Sequence, residues 1–283
     1  MKHILSSVLL FTALTLSLAA CGGKAGGTSL KQVASKVQTL ADNASKEAGG
    51  EAITTPDGVE IPAPLSGTPE QILKREGYTV SYNANTMQPN WVAWQLTGER
   101  TEGSAKRSNY PFTADDDVSE PRADTYDYRS SGYDRGHMCP AGDNKWSAKA
   151  MEQSFLMTNI CPQAPSLNRG DWNEMEIACR KWAKREGTLY VVCGPIFYKQ
   201  THKRIGTHRL PVPEAFFKVV LSTSGTPKAI GFIYKNGDGN RPKGDYVNTV
   251  DEVERITGID FFPALPDDIE KKVEASCNLD DWE

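Results

Sequence analysis

"SGYDRGHMCPAGD", Ser131 to Asp143, sets a carboxylate, a guanidinium, a glycine and an imidazole at four consecutive positions, Asp134 to His137. Read as a polar turn or as a working site, it decides what kind of domain the rest of the chain builds. Four histidines occur in the chain. His3 lies in the N-terminal leader and His202 and His208 in a Lys/Arg-rich loop, so His137 is the one flanked by groups suited to chemistry. A neutral imidazole is a natural general base near pH 7, and a neighbouring arginine stabilises negative charge developing on a phosphoryl or acyl oxygen. Taken alone, the tetrapeptide leaves turn and site both open.

Outward from it, strand-like and helix-like segments alternate without internal repeat. "YTVSYN", "WVAWQLT", "SFLMTNICP", "TLYVVCGPIFY", "AFFKVVLS" and "AIGFIYKN" are rich in aromatic and β-branched residues and bounded by Gly, Pro or Asn, which predicts strands. "SAKAMEQ", "DWNEMEIACRKWAKRE" and "TVDEVERITG" predict helices. The pattern is that of an α+β domain over residues 71–283, with a central antiparallel or mixed sheet flanked by helices. In the longest helix Trp172, Met175, Cys179 and Trp182 follow at spacings of three, four and three, a buried stripe. Asp171 and Glu174 suit its N-terminal end and Gly187 its stop. Glu176 and Arg180, four apart on a neighbouring stripe, would by themselves make an exposed ion pair contributing about 0.2–0.5 kcal/mol.

The N-terminus reads differently. Lys2 and His3 precede "ILSSVLLFTALTLSLAA", which is shorter and more broken by Ser and Thr than the roughly 20 apolar residues of a spanning helix, and so reads as a secretory signal. Leu18-Ala19-Ala20-Cys21 resembles the bacterial lipoprotein processing box. It predicts a signal peptide at 1–20, a lipid anchor on Cys21, and an exported lipoprotein at the outer membrane or the cell surface or periplasmic face. Plain secretion with cleavage after Ala20 is the alternative. Between Gly22 and Gly77 there is no Phe, Tyr or Trp, so no core forms there. Leu30, Val33, Val37 and Leu40 make a short helical stripe, and "TTPDGVEIPAP" and "LSGTPEQ" read as extended linker, which gives a tether over residues 21–70.

The formal net charge of −4 gives no sign of a phosphate-binding partner, but the charge is unevenly placed. Between Ala178 and Arg209 there are eight Lys or Arg and one acid, whereas Asp251 to Glu283 holds eleven acids and three bases. A solvated helix face explains the basic run unless it borders a site that works on phosphates.

"YDRGHMCPAGDNKWS", "FLMTNICPQAPSLNRGDWNEME" and "YVVCGPIF" together resemble the DNA/RNA non-specific endonucleases, a family of ββα-metal nucleases, and the resemblance extends from about Tyr78 to "TGIDFFPALPDD". The family's Asp-Arg-Gly-His motif falls on Asp134 to His137, its metal-binding asparagine on Asn168, its helix glutamate on Glu176, the following arginine on Arg180, and the asparagine of the preceding strand on Asn159. The resemblance implies a ββα-metal nuclease fold and hydrolysis of DNA and RNA to 5'-phosphate products with weak sequence preference. His137 is then the general base, Arg135 and Arg180 contact the scissile phosphate, and Asp134, Asn159, Lys184 and Arg185 make further substrate contacts. Mg²⁺, with Mn²⁺ as a substitute, is the implied cofactor. If Asn168 opens the helix, Glu176 lies about 12 Å along its axis. That separation favours Asn168 as the direct ligand and Glu176 as a holder of the cation's water.

Other family members carry an arginine in the strand reading "WVAWQLTGER", where this chain has Gln95, leaving Arg100 or Arg135 to take that contact. Export would pair the five cysteines of the mature domain, Cys139, Cys161, Cys179, Cys193 and Cys277, into two disulfides with one free thiol. Cys139, with Cys161 a candidate partner, is the first expected in a disulfide. As a thiol nucleophile beside His137, Cys139 would define a different hydrolase. Trp146 is the one tryptophan put forward for a cleft, with Trp91, Trp94, Trp172 and Trp182 expected in the core. Two readings without catalysis stand beside the enzyme: an inactive nucleic-acid-binding surface lipoprotein, and a structural lipoprotein. Both leave a general base and a metal ligand unexplained. The expected partners are DNA and RNA as substrates, and a membrane through the lipid.

Overall fold

The structure, a computed structural model, describes residues 53–237 and 239–283, all within one unit, Gly50–Glu283. The signal peptide, Cys21, the Leu30–Leu40 stripe and most of the tether lie outside the described residues. In chain order the elements are β1 (Gln71–Lys74), β2 (Thr79–Asn83), β3 (Gln88–Leu96), β4 (Asp134–His137), α1 (Ala148–Gln153), β5 (Ile160–Gln163), α2 (Pro165–Arg169), α3 (Asp171–Glu186) and β6 (Leu189–Ile196). They continue with β7 (Arg204–Ile205), β8 (Leu210–Pro211), β9 (Ala215–Ser222), β10 (Lys228–Lys235), β11 (Val247–Asn248), α4 (Val250–Thr257) and α5 (Asp267–Glu274).

Seven of the strands form one sheet in the order β1-β2-β3-β6-β9-β10-β11. Every pairing in it is antiparallel. Strands β6 and β9 are buried at every residue, because the sheet is covered on both faces. Their sequences are accordingly near-continuous apolar runs rather than alternating ones. On one face Leu189, Val191, Phe216 and Val220 pack with Trp172, Met175, Cys179 and Trp182, so the stripe predicted for α3 is its buried face. On the other, Tyr190, Val192, Phe217 and Val219 pack with Val250, Val253, Phe261, Phe262 and Val273 from α4, α5 and the segment between them. Each large apolar side chain so buried contributes about 1.5–3 kcal/mol.

Local signals set the ends of the elements. The Ser147 hydroxyl accepts from Ala150 N at the start of α1, and Thr249 Oγ1 from Glu252 N at 3.1 Å at the start of α4. Gly187, at φ 97°, ends α3 in a conformation that a side chain would strain.

β4 and β5 make a separate antiparallel ribbon that pairs Asp134 with Gln163, Arg135 with Pro162, Gly136 with Cys161 and His137 with Ile160. The "DRGH" motif is therefore a strand, and with β5 and α3 it completes a β-β-α unit. Its glycine has a steric cause: a Cβ at Gly136 would sit 2.4 Å from Gln163 Oε1 and 2.6 Å from Gln163 Cβ.

Several expectations are corrected. Residues 53–70 are not free linker, since Val59 is fully buried and Ile53, Ile61 and Leu65 pack against the same core. Asn168 does not open α3 but lies in α2; the chain breaks at Gly170, where a Cβ would meet Ser166 O at 2.5 Å. Only the end of "SFLMTNICP" is strand. Helix α5 was not expected: its apolar face is only Ile269 and Val273, four apart, too short a stripe to stand out beside its charges. The expected disulfides are absent: all five described cysteines are free. Cys139, Cys161, Cys179 and Cys193 fill one core as small apolar groups, and a core of this size holds without covalent staples.

Candidate active site

His137 ends β4 with its ring between Phe112 and Phe155, at centroid distances of 5.2 and 5.0 Å. Its backbone carbonyl accepts Trp172 Nε1–H at 3.3 Å, which ties the ribbon to α3. The residue is 9% exposed, and Nε2 has no hydrogen-bond partner among the described residues. Burial, then the charges of Arg107 and Arg135, lower its pKa to about 3. The imidazole is therefore neutral throughout the physiological range.

Asn168 is fixed by Asp134. Asp134 Oδ2 accepts Asn168 Nδ2–H at 2.9 Å, and the same carboxylate accepts Arg169 Nε–H and Nη2–H at 2.8 and 2.7 Å. An amide committed through its nitrogen has only its carbonyl oxygen left as a ligand. The Arg169 hydrogen bonds hold Asp134 below the usual carboxylate range, with Asn168 adding to the effect. Asp134, expected among the substrate contacts, is thus engaged by Asn168 and Arg169 and orients the asparagine.

Glu176 and Arg180 project from α3 toward the same space. Arg180 Nη1 donates to Asp143 Oδ1 at 3.0 Å and lies 3.8 Å from Glu176 Oε2. Asp143, fully buried on the short turn after the motif, also accepts Trp94 Nε1–H at 3.2 Å. Gly142 leaves room for this arrangement, because a Cβ there would sit 2.9 Å from Arg180 Nη1. The Glu176 side chain is 14% exposed, and burial pushes its pKa up to about 7 against the pull of Lys218. The exposed ion pair expected from spacing alone is instead part of a half-buried network.

Lys218 had no sequence reading. It interrupts the apolar strand β9, is 1% exposed, and places Nζ 4.4 Å from the Trp172 ring centroid and 5.0 Å from that of Trp94. Burial works against its charge, but Cys193, Cys179, Glu176 and Asp143 hold its pKa above the ordinary lysine value. A cation in an otherwise apolar strand was the available clue.

His137, Arg135, Asn168, Glu176 and Arg180 line one cleft of about 570 Å³, with Asp134, Arg169, Asn173 and Arg107. Arg135 lies against the Phe112 ring, Cζ 4.4 Å from the centroid, and donates to Thr125 Oγ1 at 2.5 Å. Arg107 comes from a short 3₁₀ turn before the motif, Arg107–Asn109, where no spacing marks it.

Five residues expected at the site lie elsewhere. Asn159 is fully buried, with its amide bonded to Cys139 N and O and to Ser154 O at 2.8–2.9 Å, so it braces the turn after His137 and is not a substrate contact. Lys184 pairs with Glu102 at 3.1 Å and Arg185 with Glu186 at 2.9 Å, and neither lines the cleft. Gln95 Nε2 donates to Glu60 at 3.3 Å, while Arg100 donates to Gln95 O at 2.6 Å and lies over Trp146. None of these three borders the cleft either, so Gln95 is no loss to it. Cys139 is fully buried, its thiol pushed well up by burial, so the thiol-nucleophile reading is excluded.

The residues fit a hydrated hard divalent cation. One oriented amide oxygen and one largely buried carboxylate, facing a cleft that also holds four arginines, are the donor set that a water-rich ion requires.

Comparison with known proteins agrees with this geometry. A family profile described as DNA/RNA non-specific endonuclease matches residues 58–268. Over 209 residues the chain is 33% identical to human mitochondrial endonuclease G, covering 69% of this chain and 70% of that protein. Mitochondrial nuclease EXOG of Xenopus laevis is 35% identical over 235 residues, 77% of this chain and 64% of that one. Nuclease C1 of Cunninghamella echinulata var. echinulata is 35% identical over 216 residues, 70% of this chain and 85% of that one. A crystal structure of an EndoG/EndoGI complex superposes with a TM-score of 0.66 and 28% identity, covering 71% of this chain and 89% of that one.

Proposed function

Because the chain belongs to the DNA/RNA non-specific endonuclease family, whose ββα-metal fold it shares, we propose that it cleaves phosphodiester bonds in DNA and RNA alike, leaving 5'-phosphates. The observation that carries this reading is the convergence of His137, Asn168, Glu176, Arg135 and Arg180 on a single cleft.

We infer the following roles, which the shared cleft supports. The His137 imidazole takes a proton from the attacking water. A pKa of about 3 makes it a weak base in the free protein, but two of the causes are the cations Arg107 and Arg135. A bound phosphate offsets both charges and raises the basicity of the ring when substrate is in place. Arg135, Arg107 and Arg180 hold the phosphate and its growing negative charge. Asn168, through Oδ1, and Glu176, when ionised, are the residues that would hold a Mg²⁺ ion and its water shell, with Mn²⁺ as a substitute. When bound, the cation supplies charge stabilisation at the leaving 3'-oxygen and a water acidic enough to protonate it. Phosphates look the same in every sequence, and the cleft is lined by phosphate-seeking groups, which supports weak preference among nucleic acids.

An inactive nucleic-acid binder would gain nothing from a neutral imidazole beside an oriented amide oxygen. The deciding experiment incubates plasmid and RNA with the protein, with Mg²⁺ and with chelator, beside His137→Ala. Metal-dependent loss of both substrates, absent in the variant, is expected; full cleavage by the variant would overturn the assignment. We further propose export with a lipid on Cys21, tested by fatty-acid labelling of the chain and of Cys21→Ser.

A further inference from the structure

The acid-rich end of the chain takes no part in this chemistry, yet it converges on one point. Asp251 and Glu254 stand three apart on α4, Glu274 is the last residue of α5, and one carboxylate oxygen from each lies within 4.8 Å of the other two. Asp251 is exposed and Glu254 half-buried, but Glu274 is 5% exposed and its Oε1 has no hydrogen-bond partner among the described residues. The one arginine of α4, Arg255, is held by Glu252 at 2.7 and 2.8 Å and leaves the trio unneutralised. Glu254 Oε1 accepts Phe261 N–H at 2.7 Å, which fixes that carboxylate in place.

A buried carboxylate without a partner is costly, and a fold keeps one by protonating it, pairing it or giving it to a cation. Burial first, then the neighbouring Glu254, Glu270, Asp251 and Asp260, push Glu274 up to about 9, and burial, opposed by the Phe261 N–H bond, pushes Glu254 up to about 7, so both carboxyls lack a compensating cation. One proton would relieve one carboxylate of three. A cation would relieve all of them, and the C-terminal end of α5 adds the negative pole of its helix. Size distinguishes the ions. With Ca²⁺–oxygen distances of about 2.3–2.6 Å, oxygens on opposite sides of the ion lie about 5 Å apart, whereas Mg²⁺ draws them to about 4 Å and demands stricter geometry.

We propose that Asp251, Glu254 and Glu274 form a second cation site, separate from the cleft at Asn168, that takes a calcium-sized hard divalent ion and clamps α5 to α4. Val253 and Val273, on the two helices, belong to the core that covers the outer face of the sheet, so the clamp secures that layer.

The test uses the full chain, freed of metal by chelation and returned to calcium, followed by calorimetric titration and thermal unfolding. Wild type should bind calcium and gain about 5–10 °C in Tm at a hundredfold excess over Kd. Asn168→Ala should keep the whole gain. Glu274→Gln, isosteric and free of the repulsion, should fold at least as well as wild type in chelator and show no gain. Asp251→Asn, at an exposed position, should weaken calcium binding at least tenfold. Absence of binding by wild type at millimolar calcium, a gain that persists in Glu274→Gln, or one lost in Asn168→Ala would overturn the proposal.

Discussion

Asp134 Oδ2 and Asn168 Nδ2 meet at 2.9 Å, and this bond decides which atom of the amide faces the cleft. It joins the first residue of the motif strand to a helix 34 positions later. Asp134→Ala frees the amide to rotate and present its N–H₂ to the cation. The expected result is a 10–100-fold loss of metal affinity, the usual cost of losing a ligand's orienting partner, read as the Mg²⁺ concentration for half-maximal cleavage. An unchanged Mg²⁺ requirement would show that Asn168 is held by other means.

Glu176 gives two pH dependences. Its folded pKa of about 7 lies above the ordinary carboxylate value, so its protonated form is favoured by folding. That contribution is fully present below about pH 4.5 and is lost as pH rises through about 7, to a ceiling of roughly 3 kcal/mol. In chelator, Glu176→Gln should therefore melt higher than wild type above pH 7 and equal to it near pH 4. Activity runs the other way, since the ionised carboxylate holds the metal's water and the Mg²⁺ requirement should rise as pH falls through 7. Lys218 is the largest charge opposing the upward shift, so Lys218→Met should move that acid limb to higher pH.

Much of this was legible in the sequence. The three-four-three spacing on α3 defined its buried face, and the order of apolar runs defined the principal strands of the sheet. The motif residues and the helix pair Glu176 and Arg180 were placed by resemblance, and they do share a cleft. What stayed hidden depended on which way a polar side chain turns in three dimensions. Asn159 and Lys218 are polar residues whose burial no periodicity expresses. Lys184 and Arg185 look like phosphate binders until Glu102 and Glu186 are seen beside them. Arg107 reaches the cleft from a single 3₁₀ turn, too short to give a spacing to read.

Arg107 is for that reason the informative cation to remove. Arg107→Ala should weaken nucleic-acid binding and lower its salt slope by about one. Lys184→Ala and Arg185→Ala, outside the cleft, should stay within about twofold of wild type. Arg107 also helps depress His137, so its loss should raise the imidazole pKa toward the ordinary value, visible by NMR titration of the histidine ring protons. A larger effect from Lys184→Ala than from Arg107→Ala would place the substrate path along α3 rather than across the cleft.

Gly142, a cleft residue with no side chain of its own, tests the network around Arg180. A Cβ there would stand 2.9 Å from Nη1 and 3.2 Å from Cζ of Arg180, the far end of a flexible side chain. The guanidinium can swing away, so Gly142→Ala should leave the fold nearly as stable as wild type while it pulls Arg180 off Asp143. Cleavage should fall about as far as in Arg180→Ala, by about 100–1,000-fold for one lost donor to the transition state's charge. The double variant should be no worse than Arg180→Ala alone, because the glycine acts only through that side chain. Additive losses in the cycle would mean that Gly142 serves the substrate directly, through its own backbone at the cleft wall.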